Sequence, residues 1–275
     1  MAVCGVLLVV GLAAGALWGG RPFTPPPVTV ELSPLEIVRR FTWYAAVALT
    51  GGVIAGITVI GAGGRLAMRL LAVTAGDNAQ GQITEAEEVV GRITVDGTIG
   101  FIVFNGVIGG VAATALYLVV RRFLPRSWLG GATFGLCLLI VLGTTIDPLR
   151  AENPDFDLVG PGWLAILVFS AWAIAFGITL AAVASRLSQW LPLISTRRRV
   201  LLRYAGPAAV AALAFSVTAA LVVVCLVVVA ATRWRPLVDA VRSRRWVVGG
   251  RVVALGVVIV AFPNAISNLV DIATG

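Results

Sequence analysis

Apolar runs of about twenty residues alternate with short polar stretches along the whole chain, and seven such segments can be read: roughly 3–20, 41–63, 98–120, 128–146, 163–185, 205–231 and 247–270. A helix needs about 20 apolar residues to cross ~30 Å of hydrocarbon. The pattern therefore predicts an all-α, polytopic helical membrane protein with about seven transmembrane helices. Trp18, Trp43, Tyr44, Tyr117, Trp128, Trp163, Tyr204, Trp234 and Trp246 fall near segment ends, where an apolar ring with a polar tip suits the headgroup zone. Trp172 is the one tryptophan placed deep within a span.

Local signals sharpen the boundaries. Segment one precedes Gly19-Gly20 and the Pro-rich "RPFTPPPVTVELSP" but lacks the basic start of a secretory signal, so an uncleaved first helix is expected. Ser33-Pro34-Leu35-Glu36 reads as a capping box with proline at the first helical position, which starts the second helix. Three stretches result: 1–40, a first helix and linker; 41–190, a four-helix core with two acidic outer loops; and 191–275, an arginine-rich segment with two C-terminal helices.

The core carries the mark of a tandem two-helix hairpin. Gly51-Gly52-x-x-x-Gly56 in segment two is matched by Gly130-Gly131-x-x-x-Gly135 in segment four, and the two acidic loops end on "GTIGFIVF" (97–104) and "GWLAILVF" (162–169). Lipid does not drive helices together, so glycine faces that let backbones approach supply the missing contact. In this alignment Asn105 and Ser170, each following a phrase ending in "VF", are equivalent intramembrane polar positions.

Composition supports the class and narrows the chemistry. Of 275 residues 59% are hydrophobic and 12% charged, about half the charged share of a soluble domain. Mean hydropathy is +0.98. Histidine and lysine are absent, so all 21 basic residues are arginine. Imidazole bases, histidine metal or haem ligands, Schiff-base lysines and phosphate-loop lysines are thereby excluded. Cys4, Cys137 and Cys225 each lie in a different apolar run and read as small hydrophobes. No cofactor is expected. Usage rich in Ala, Val, Gly and Arg points to a GC-rich genome and a bacterial inner (cytoplasmic) membrane.

Arginines also orient the chain. Loops 121–127 and 186–203 are arginine-rich, whereas 147–161 holds only Arg150; the positive-inside rule makes the first two cytoplasmic and the third external. Alternation then places the amino terminus and the 64–97 loop outside. It also sends "TRWRPLVDAVRSRRW" (232–246) outside, leaving eleven arginines inside against ten outside, a poor fit to the rule. A re-entrant segment six would repair the count; a single tilted span is the simpler expectation.

Candidate sites follow from charge where lipid should be. Arg65 and Arg69, four apart, share a helical face; they either snorkel to the interface or bind an anion or lipid headgroup through their planar forks. Arg251 repeats the Gly-Gly-Arg phrase and is expected on the same side as that pair. Asn264, Asn268 and Asp271 form a polar stripe in segment seven beside Pro263, and such a stripe faces protein or water unless the helix has already left the membrane. Nine of the thirteen acids lie in the two outer loops. Among them Glu152, Asp155 and Asp157 offer oxygen ligands for Ca²⁺ without a complete loop of known spacing, so no metal site is expected. The arginine runs beside spans read as attraction to anionic lipids rather than nucleic acid.

"GGRLAMRLLAV" (63–73), "GTIGFIVF" and "DPLRAENPDFDLVGPGWLA" (147–165) are together similar to multi-spanning membrane proteins of unknown function from GC-rich bacteria. The resemblance covers roughly residues 50–190; it implies the membrane class and carries no activity. The leading expectation is a structural or accessory subunit, not an enzyme, whose partners are the bilayer, anionic lipids and other membrane proteins. The alternative is a small-solute or anion transporter with a path between the hairpins. A lipid-modifying enzyme ranks last.

Overall fold

A computed structural model describes residues 1–27, 33–85, 87–158, 160–213 and 244–274, with a few isolated positions in between. The described residues contain helices and no strand beyond one isolated bridge, Ile83 to Val89. Apart from single turns the helices are α1 (Ala2–Trp18), α2 (Pro34–Thr74), α3 (Val95–Val120), α4 (Trp128–Gly143), α5 (Gly162–Trp190), α6 (Arg198–Arg203), α7 (Ala205–Leu213) and α8 (Arg244–Thr274). Four of them, α2, α3, α5 and α8, are long and apolar enough to cross a membrane. The chain is thus a helical bundle of membrane type. All seven apolar segments overlap a helix, although most of segment six lies outside the described residues.

The bundle has two ends. α2 begins at one with Ser33, whose hydroxyl accepts the Glu36 N–H at 3.2 Å, a cap worth about 1 kcal/mol. Glu36 turns to Arg40 at 3.0 Å, so only half of the expected capping box forms. The loops 21–27, 121–127 and 191–197 share this arginine-rich end. There Thr24 N–H donates to Ser188 Oγ at 2.9 Å, and Arg121 lies 3.7 Å over the Phe23 ring. Loops 75–94 and 144–161 meet at the opposite, acidic-loop end, where Arg150 bonds Glu85 and the Glu85 N–H donates to Asp155 Oδ1 at 2.8 Å.

Small residues set the spacing of the helices. Gly52 and Gly56 of α2 lie against Gly106 and Gly110 of α3, and Gly131 and Gly135 of α4 lie against Ala173 and Gly177 of α5. A Cβ on Gly52 would sit 2.7 Å from the Val111 nitrogen, and one on Gly131 would sit 2.9 Å from the Gly177 carbonyl carbon. Helix α1 joins the same packing through Gly11, against Thr58 and Val59, and Gly15, against Thr179; Thr179 Oγ1 donates to the Gly11 carbonyl at 3.2 Å. The core around these contacts holds Trp43, Val47, Val59, Phe134, Phe176 and Leu180.

Three stretches widen to the π pitch: Gly56–Gly61 in α2, Ile102–Gly109 in α3 and Leu139–Gly143 in α4. An extra residue in a turn re-aims the side chains beyond it and is common at functional sites. The first two π stretches face each other. Backbone groups loosened in this way find partners on neighbouring helices, and Trp172 Nε1 donates to the Val59 carbonyl at 2.6 Å.

Two expectations are corrected. Trp43, Tyr117 and Tyr204 are buried rather than lying in an interfacial belt, because their polar tips or rings are used internally: Trp43 Nε1 donates to the Leu191 carbonyl at 2.8 Å, and Tyr204 Oη to the Pro192 carbonyl at 2.8 Å. Tyr117 packs edge-on to Phe134. The second correction concerns α8, which does not start at the acidic-loop end. Its Gly250 rests on Phe123 of the arginine-rich end, and its Ile272 reaches Gly162 at the other. Of the 21 arginines, fourteen therefore lie toward one end and four (Arg65, Arg69, Arg92, Arg150) toward the other, while Arg233, Arg235 and Arg242 lie outside the described residues.

The glycine contacts give a direct test. Gly52→Ala drives a methyl group into backbone that cannot yield, costing about 1–3 kcal/mol. Gly109→Ala enters open space and does not destabilise, adding at most about 1 kcal/mol from helix propensity. Thermal unfolding of the two variants in detergent should separate them, and equal melting would remove the packing argument.

Candidate ligand site at the acidic-loop end

Above the Gly56–Gly106 contact the ends of α2 and α3 enclose a cavity of about 640 Å³, within the usual 300–1,000 Å³ of ligand sites. Its lower wall is apolar, with Met68, Phe101, Phe104 and Phe169. Phe104 is 69% exposed and Met68 41%, so this wall opens sideways, toward the surface that lipid covers. Asn105, also exposed, lines the same opening.

Arg65 and Arg69 project from α2 into the cavity. The helix runs on to Thr74, so the pair lies within it and not at its end. Arg65 Nη2 donates to Thr98 Oγ1 at 3.2 Å, and Arg69 Nη1 to the Gly91 carbonyl at 3.3 Å. Each guanidinium has five N–H donors, and the buried Nε of Arg65 has no partner. Among the described residues the ion pairs are Arg40–Glu36 and Arg150–Glu85. Neither cavity arginine forms an ion pair among the described residues.

A roof of loop closes the site. Residues 80–91 form a small hairpin, with Thr84 N–H to the Glu88 carbonyl at 2.9 Å and Val90 N–H to the Gln82 carbonyl at 2.9 Å. Gln80 Nε2 ties it to the Ala72 carbonyl of α2 at 2.8 Å. Gly91, at φ 86°, takes a conformation that side chains resist and presents the carbonyl that Arg69 binds. Glu85, Glu88, Asp147 and Asp155 line the roof, with Arg92 on the rim. Burial, then the neighbouring Glu85 and, further down, Asp155, hold the Asp147 carboxyl above the usual range, against the opposing pull of Arg150 and an Asn153 hydrogen bond.

The other expected residues separate. Arg251 lies exposed toward the arginine-rich end, away from Arg65 and Arg69. Asn268 is buried and donates to the Thr144 carbonyl at 2.6 Å and the Leu149 carbonyl at 3.4 Å, which clamps α8 to the second acidic loop. Asn264 and Asp271 are exposed, Asp271 taking a 3.5 Å hydrogen bond from Ser267. The helix continues past all three. Ser170 is half-buried beside Phe169 and outside the cavity lining; the glycine contacts place Asn105 in register with Trp172, two positions on. Among the described residues no three acids gather as metal ligands. Glu152 is exposed, Asp155 serves the Glu85 N–H, and the Asp157 side chain lies outside the described residues.

Sequence reasoning missed Glu88, Asp147 and Phe101 as cavity residues. The acids were visible as loop charges, but nothing in their spacing says that two loops 60 residues apart fold over one arginine pair. The class these features define is a helical membrane protein with an amphipathic cavity at its acidic-loop end. Comparison with protein-family models, curated proteins and solved structures finds no match.

Asp147 gives a pH signature. Its folded form holds the proton more tightly than an unfolded aspartate, whose pKa is about 3.9. Its contribution is therefore most favourable below that value and is lost as pH rises through the folded pKa. Asp147→Asn, neutral throughout, should flatten this part of a stability-against-pH curve; an unchanged curve would mean that the carboxyl is not perturbed.

Proposed function

We propose that the protein is an integral membrane accessory protein of the bacterial inner membrane that binds a lipid through its acidic-loop-end cavity. The observation that carries the reading is the cavity itself: an apolar wall open to the side, two arginines without acidic partners, and a loop roof. A soluble ligand would have to pass that roof. A lipid of a surrounding bilayer would reach it directly past Phe104, which is 69% exposed.

The finer architecture fits this reading. A tandem hairpin is supported by the two parallel sets of small-residue contacts, Gly52/Gly56 on Gly106/Gly110 and Gly131/Gly135 on Ala173/Gly177. With the arginine-rich end inside, α8 starts inside as well, and fourteen arginines against four now follow the positive-inside rule.

A transporter reading draws on Asn105, near the middle of α3, which lines the cavity. It is weaker because the core below is filled by Trp43, Val59, Phe176 and Leu180 and by glycine contacts that leave no width. No catalytic constellation accompanies the carboxylates, so a lipid-modifying enzyme has no support beyond proximity.

Arg65→Gln combined with Arg69→Gln should keep helicity and melting temperature while reducing co-purified phospholipid in mild detergent. Equal lipid content in both proteins would remove the site. Reporter fusions after Arg126 and at Asp155 should report cytoplasm and exterior respectively, and the reverse would invert the orientation.

A further inference from the structure

Space stays open beside the crossing of α1 and α5. The crossing is held at Gly15, where a Cβ would sit 3.1 Å from Thr179 Oγ1. Ala16 and Gly19 of α1, Ala171, Ala175 and Ile178 of α5, and Trp128 line an apolar groove of about 580 Å³ there. Small side chains that let these backbones approach leave no bulk to cover the surface beside the contact. Ala16 and Ala171 are exposed, so the groove opens on the surface that lipid covers. It follows α1 from Leu12 to Gly19, about 10 Å at 1.5 Å per residue.

The rim of the groove lies at the arginine-rich end. Trp128 is exposed there, with its Cβ 3.7 Å from the place a Gly19 Cβ would take, and an indole suits the headgroup level. Arg21 follows Gly19 by two residues and Arg126 precedes Trp128 by two, so this contact brings two arginine-bearing segments to one rim. Both segments are tied to the bundle. The Arg21 N–H donates to the Trp18 carbonyl at 3.0 Å and the Thr24 N–H to Ser188 Oγ at 2.9 Å, while the Pro125 carbonyl rests against Gly130. Arg21 and Arg126 are exposed, and neither forms an ion pair among the described residues. The one acid described at this end, Glu36, is taken by Arg40 at 3.0 Å.

An apolar groove alone would accept any acyl chain. A cationic rim without protein carboxylates adds a headgroup preference, because guanidinium forks match phosphate oxygens and basic pockets between transmembrane helices hold anionic headgroups. We propose that the groove between α1 and α5 is a second lipid site that takes an acidic phospholipid from the leaflet at the arginine-rich end. One acyl chain lies along Ala16, Ala171 and Ala175, and the headgroup phosphate sits between Arg21 and Arg126. Phosphatidylcholine also carries a phosphate, but its trimethylammonium brings a further positive charge to the same rim. The site is at the opposite end of the bundle from the acidic-loop-end cavity and does not depend on what that cavity binds.

Photoactivatable phosphatidylglycerol and phosphatidylcholine with the same diazirine-bearing acyl chain, each at trace level in phosphatidylethanolamine vesicles holding the full chain, test the proposal by the peptides they label. Phosphatidylglycerol should label residues 12–19 and 171–179 about tenfold more than phosphatidylcholine, the scale that two arginines at a membrane surface give. Arg21→Gln with Arg126→Gln should bring the two lipids to equal labelling. Ala16→Leu with Ala171→Leu, which fill the groove from exposed positions, should remove labelling there by both. Arg65→Gln with Arg69→Gln should leave labelling of the groove unchanged, so that failure at one site is told from failure at the other. Arg126→Gln and Ala171→Leu alone, each checked by thermal unfolding, serve if a double variant does not fold. Equal labelling by the two lipids in the unaltered protein, or a preference that survives the loss of both arginines, would overturn the headgroup site. Labelling indifferent to Ala16→Leu and Ala171→Leu would overturn the groove.

Discussion

Backbone-to-backbone contact between glycines is the constraint on which the rest of the bundle depends. With Gly56 lying on Gly106, α2 and α3 approach more closely than any side chain would permit, and the approach fixes both their register and the level at which they can separate. Within a bilayer no hydrophobic effect pulls helices together, so this van der Waals contact and a few interhelical hydrogen bonds supply the adhesion. Gly131 and Gly135 do the same for α4 and α5, and α1 uses Gly11 and Gly15 on the shared surface.

The cavity is a consequence of where that contact stops. Above Gly106 the small residues of α2 meet side chains instead of glycine, Gly61 against Ile102 and Gly64 against Phe101, and the π stretches turn Phe104 and Asn105 outward while Gly106 stays buried. Trp172 fills the gap beside Gly63 and Gly64 and anchors to the Val59 carbonyl, so the opening ends in a floor and does not become a channel. A bundle with leucine in place of Gly56 would have no such step between tight and open levels.

The helical membrane class and the span positions were legible because hydropathy is additive along a chain: twenty apolar residues read the same in any environment. Arg65 and Arg69 were legible as a pair because helix geometry alone puts residues four apart on one face. Their partners were not. Glu88 and Asp147 reach the cavity on two loops that long-range hydrogen bonds position, Glu85 N–H to Asp155 for hairpin 80–91 and the Asn268 clamp for loop 144–161. The direction of α8 was misread for a related reason. Strict alternation assumes that every apolar run crosses once, whereas the seats of Gly250 on Phe123 and Ile272 on Gly162 are tertiary contacts that hydropathy does not encode.

The corrected direction of α8 also changes what the four remaining arginines mean. While ten of 21 lay on the outer side, no single one needed an explanation. With fourteen gathered at the other end, Arg65, Arg69, Arg92 and Arg150 stand as exceptions to a strong bias, and their surroundings divide them. Arg150 bonds Glu85 and joins the two loops, and Arg92 faces water. Arg65 and Arg69 have neither explanation. They are held on a rigid helix, in a cavity that contains carboxylates they do not touch, with donors left over. Two guanidiniums without carboxylate partners beside an apolar wall are the feature that the proposed lipid headgroup explains.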